Sequence, residues 1–70
     1  MHNEPYYEVL IDGQIVSTTR LSAIAFLQFQ SANLISRNAQ LIRRYDDPDD
    51  KILHSACEYN LSTEGWETLK

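Results

Sequence analysis

The sequence predicts a small α+β domain: an antiparallel sheet carrying one main helix, in the order β-β-α-β followed by a short helix or strand. Three stretches carry that expectation. Two β-rich runs flank Asp12-Gly13, a helical stretch free of Gly and Pro runs from Leu21 to Ile35, and an alternating segment follows from Leu41 to Tyr45. No linker, internal repeat or low-complexity segment divides the chain, so residues 1–70 are read as one domain.

The first element is a hairpin. Asp12-Gly13 suits the positive φ angles of a two-residue type I′ turn. Folding about it pairs Ile11 with Gln14, Leu10 with Ile15, Val9 with Val16, Glu8 with Ser17 and Tyr7 with Thr18. Alternation then puts Tyr7, Val9, Ile11, Val16 and Thr18 on the side expected to meet the helix, and leaves Leu10 and Ile15 on the reverse. Trp66 is the candidate lid for that second pair.

Leu21 to Ile35 is rich in Ala, Leu and Gln and forms about four turns of helix, capped by the hydroxyl of Thr18 or Thr19. At 100° per residue, Leu21, Ile24, Ala25, Gln28, Ala32 and Ile35 share one stripe, with Leu27 and Leu34 at its margin; this stripe is the expected core face. Phe26 and Phe29 then fall on the other side. Asn38 is suited to a left-handed stop after the helix. Leu41 to Tyr45 is read as a third strand beside the hairpin, against a rival in which the helix continues and Leu27, Leu34, Asn38 and Leu41 line a coiled-coil-like seam.

Asp46-Asp47-Pro48-Asp49-Asp50 reads as the capped start of a second helix that places Ile52, Leu53, Ala56 and Cys57 on one side. A fourth strand over the KILHSACEY stretch is the alternative. Leu61 to Lys70 is read as a loosely docked tail.

Composition bounds the function. A domain of 70 residues buries only about 60% of the surface its unfolded chain exposes, and so commonly depends on a disulfide, a metal or association. A single cysteine removes the first support within one chain, which favours association. The opening residues lack a secretory pattern, no apolar run approaches the ~20 residues of a membrane span, and the lone cysteine fits a reducing compartment; the expectation is a cytoplasmic protein. The net charge of −4 is unevenly spread. From Gly13 to Tyr45 the charged residues are Arg20, Arg37, Arg43 and Arg44, leaving two lysines against ten carboxylates elsewhere, a balance of −8.

Chemical motifs are sparse. His54 and Cys57 have the i, i+3 spacing of half a zinc site, but no recognisable pair of further ligands accompanies them. The Asp46–Asp50 run lacks the glycine and distal Glu of a calcium-binding EF-hand loop, and is read as a solvated helix start. Asn60-Leu61-Ser62 matches a glycosylation sequon, which is idle without a secretory route. No glycine-rich phosphate loop occurs. No catalytic, cofactor-binding or metal-binding residue is assigned, and the chain is not read as an enzyme.

What remains is a surplus of large apolar side chains for so small a sheet, which marks a contact surface. The chain is expected to be a non-catalytic protein-binding module, an inhibitor or regulator of a larger assembly, with a homodimer also in view. Its contact residues are expected to be Phe26, Phe29, Trp66, Arg37, Arg43 and Arg44, with Asp46, Asp47, Asp49 and Asp50 steering a basic partner. The alternative is a small dimeric nucleic-acid-associated regulator that uses Arg37, Arg43 and Arg44 on phosphates. In size and charge the chain is similar to the small acidic inhibitors with which phages block host defence, the anti-CRISPR and anti-restriction proteins; the likeness is one of composition and covers no motif.

Overall fold

A computed structural model describes residues 5–45 and 56–69. Five strands and one helix follow one another as β1 (Pro5–Ile11), β2 (Gln14–Thr19), α1 (Ser22–Ile35), β3 (Ala39–Tyr45), β4 (Cys57–Asn60) and β5 (Gly65–Thr68). The strands form one antiparallel sheet in the order β2-β1-β3-β4-β5, and α1 lies on one side of it. The α+β class and the β-β-α-β order are as the sequence predicts.

Asp12 (φ 54°) and Gly13 (φ 82°) both take the left-handed conformation that a tight hairpin turn requires. Ile11↔Gln14 and Leu10↔Ile15 pair as expected, but the register then slips by one, giving Val9↔Ser17, Glu8↔Thr18 and Tyr7↔Thr19. The extra residue is accommodated as a bulge in an edge strand, where such irregularities concentrate. Ser17 therefore takes the helix-facing position expected of Val16, and its hydroxyl hydrogen-bonds Gln28 of α1. Val16 and Thr18 stay exposed.

The helix begins one residue later than expected and has no side-chain cap on its own first turn. Thr19 Oγ1 instead accepts the N–H of Leu21 at 3.1 Å. At the other end Asn38 is not left-handed; Ser36 leaves the helix in extended geometry and its hydroxyl accepts the Asn38 N–H at 3.1 Å. Asn38 serves as a clasp. Its Nδ2 donates to Asp12 Oδ1 at 2.9 Å and its carbonyl accepts the Asp12 N–H at 3.2 Å, tying the hairpin turn to the α1–β3 turn.

β1 and β3 pair over seven residues at the middle of the sheet, with Val9 opposite Leu41. These two side chains, 1% and 0% exposed, join Tyr7, Ala25, Phe29 and Ala32 in the core. The expected helix face is thereby overturned. Ala25 and Ala32 do point inward, but Phe29 lies between them, while Leu21, Ile24, Leu27, Leu34 and Ile35 are exposed. α1 is apolar around most of its circumference, so the pattern on the helix alone leaves its rotation undecided. What decides it is the aromatic lining supplied by β4 and β5. Phe26 meets Tyr59 edge-on at 5.0 Å and Trp66 at 6.0 Å, and Phe29 meets Tyr59 at 6.1 Å; such contacts add about 0.5–1.5 kcal/mol each to simple burial.

The last stretch is a strand, β5, and not a loose tail. Trp66 sits opposite Tyr59 on the helix side of the sheet, so it does not cover Leu10 and Ile15 on the reverse. Cys57 belongs to β4, in keeping with the strand alternative; the helix start expected at Asp46 to Asp50 and the residues as far as Ser55 lie outside the described residues.

The face assignment has a direct check by urea unfolding. Phe29→Ala is expected to cost about 3–5 kcal/mol. Leu27→Ala, on the outer side, is expected to stay within about 0.5 kcal/mol. Comparable losses at the two positions would put the helix the other way round.

Candidate interaction surface

α1 contains no charged residue. With its Phe29 side on the sheet, its outward crest presents Leu34 at 87% exposure and Leu27 at 63%, while Ile35 at 79% and Ile24 turn towards the β2 flank. Leu27 and Leu34 stand one heptad apart and so project from the same side of the helix. Among the described residues eight large hydrophobic side chains are exposed, and seven of them fall between Ile15 and Ile35, on β2, on α1 and at Leu21 between the two. The exposed apolar surface is thus confined to one part of the fold.

The reverse of the sheet has a different chemistry. Glu8, little exposed, holds Arg44 through a 2.8 Å contact between Oε1 and Nε. Gln40 Nε2 donates to Glu58 at 3.2 Å, and Asn60 Nδ2 donates to Glu67 at 2.9 Å. Ile42 is buried in register between Glu8 and Glu58. Polar pairs therefore share this face with Ile42, Leu10 and Ile15.

The residues expected to bind a partner are not assembled into one site. Phe29 is 2% exposed, and Phe26 and Trp66 are partly buried against the core, because β4 and β5 bring Tyr59 and Trp66 under the helix. Arg43 and Arg44, adjacent on β3, project to opposite faces. Arg43 lies over Trp66 at 4.6 Å and near Tyr45 at 5.7 Å, with its Nε buried and without a hydrogen-bond partner. Arg37 is exposed in the α1–β3 turn, separated from Arg43 by the stretch of β3 from Ala39, about 13 Å of strand. No single basic face unites the three. Asp46, Asp47, Asp49 and Asp50 lie outside the described residues.

Cys57 is a half-buried free thiol on a strand, and no group of three or more His, Cys, Asp or Glu side chains gathers among the described residues. No helix among them is long and apolar enough to cross a membrane. The signal for the exposed crest was present in the sequence: the rival coiled-coil reading had already placed Leu27 and Leu34 on one seam. No protein-family model, curated protein or solved structure matches this chain.

The two neighbouring arginines should respond oppositely to loss of charge. Arg44→Leu strands the carboxylate of Glu8 and is expected to cost about 1–3 kcal/mol. Arg43→Leu removes a buried, unpaired donor along with a cation–π contact and is expected to change stability by less than about 1 kcal/mol. Denaturant titration of both variants reads the difference directly; a larger loss for Arg43→Leu would reverse these roles.

Proposed function

We propose that the chain is a non-catalytic protein-binding module, acting as an inhibitor or regulator of a larger assembly by occupying one of its surfaces. The observation that carries the reading is the crest of α1: leucines at 27 and 34, largely exposed, on a helix without a single charge. Each such side chain contributes about 1.5–3 kcal/mol when fully removed from water. No buried charge on α1 would oppose the transfer, since there is none to desolvate.

The matching partner is a protein that offers an apolar groove to a helix. Helix-in-groove recognition is read through anchors three, four or seven residues apart on one face, and Leu27 and Leu34 supply the i, i+7 pair. Because the helix is already folded on its sheet, its own ordering entropy is not charged to the association. Phe26, Phe29 and Trp66 support the crest from beneath instead of making the contact.

The double variant Leu27→Glu/Leu34→Glu is expected to keep the unfolding midpoint within a few degrees and to lose the proteins that the wild-type chain retains from a cell extract. Recovery of the same proteins by both forms would set the crest aside as the contact site.

A further inference from the structure

We propose that two copies of this chain join edge to edge through β2, antiparallel about a two-fold axis, making one continuous sheet of ten strands. The inference goes beyond the proposed function because it uses the β2 edge and the adjoining flank of α1, not the helix crest. Its occupant is a second copy of the chain.

The two edges of the sheet are unlike. β5 is four residues long, carries Glu67 and follows Glu64, and short charged strands resist pairing with another chain. β2 is six residues, QIVSTT, without a charge or a proline. Its outer backbone N–H and C=O groups face away from β1 and form no ladder with any strand among the described residues. Ile15 and Val16 on it are more than half exposed. Of the devices that keep an edge solitary it has only the bulge.

Beside β2 an open groove runs between strand and helix, lined by Ile11, Val16, Ser17, Gln28, Ala32 and Ile35. Leu21 and Ile24 continue the same flank of α1 by heptad spacing to Gln28, Ser31 and Ile35. Charge favours a like partner here. The whole chain carries −4, so a second copy is repelled wherever acidic parts meet; from Gly13 to Ser36 the one charged residue is Arg20. A neutral edge is where two such chains approach without that penalty.

The dimensions fit. A strand of six residues is about 20 Å long, and α1 extends about 21 Å one layer above it. Ile15, Val16, Leu21 and Ile35 on that side are all more than half exposed, so apolar surface is there to be covered. A two-fold axis normal to the sheet keeps both helices on the same side. With α1 centred over β1, the two axes lie three strand spacings apart, about 14 Å, little more than the 10–12 Å diameter of a helix with its side chains. Side chains from the two flanks, Ile35 and Ile24 among them, therefore meet across the groove.

Sedimentation over a range of concentrations, joined to amide hydrogen exchange, tests this on the full chain. The expected result is twice the single-chain mass, with β2 amides whose exchange slows as concentration rises. Val16→Lys, at an exposed position, is expected to weaken the dimer at least about tenfold with an unchanged circular dichroism spectrum. Leu27→Glu/Leu34→Glu is expected to retain the doubled mass, which separates this proposal from the fate of the helix crest. A single-chain mass at every concentration overturns it, as does a dimer whose β2 amides exchange freely or one lost only when the crest is charged.

Discussion

The buried cluster joining Ala25, Phe29 and Ala32 of the helix to Val9 and Leu41 of the two central strands governs the rest of the structure. Two alanines bring the helix backbone near the sheet, and Phe29 fills the space between them. With Tyr59 and Trp66 packed against it, this cluster fixes the rotation of α1, which sends Phe26 sideways to those two rings and turns four leucine and isoleucine side chains in the helix to water. One helix gives one sheet a single side. With a helix apolar nearly all round, choosing the aromatic side for the core leaves an aliphatic side without a cover.

Charge then separates the remaining surfaces. Polar pairs such as Glu8–Arg44 and Gln40–Glu58 lie across the reverse of the sheet, and glutamates guard the β5 edge. The hairpin's outer strand and the helix crest have no comparable protection. On an acidic chain, β2 and α1 are the stretch that another acidic molecule approaches with least repulsion. Arg43 follows a different logic, being held by the rings of Trp66 and Tyr45 although its Nε lacks a partner.

Most of the architecture was legible in the residues. The Asp12-Gly13 turn, the helix and the return strand all follow from local patterns, and the structure has them where those patterns put them. What local patterns could not supply was anything settled by distant partners. The bulge that replaces Val16 with Ser17 at the helix is set by the twist of an edge strand. The helix rotation is set by Tyr59 and Trp66, more than thirty residues away along the chain. Nothing local pairs Tyr59 with Trp66 or places both rings under the helix, and without them Phe26 and Phe29 read as outward-facing. The idea of an apolar surplus survives with different residues: the leftover side chains are leucines and isoleucines, not phenylalanines.

The pairing of Pro5 with Tyr45 closes a long loop around hairpin and helix. During synthesis the N-terminal hairpin and α1 emerge before β3, β4 and β5, so for that interval the helix has only Tyr7 and Val9 of its core partners beneath it and lacks Leu41, Tyr59 and Trp66. Non-local pairing of this kind makes folding wait on loop closure. A nascent chain with an uncharged helix and an unguarded strand is exposed to unwanted company while it waits. The same neutrality that suits the finished surface for association therefore makes prompt completion of β3 the vulnerable moment in this protein's life on the ribosome.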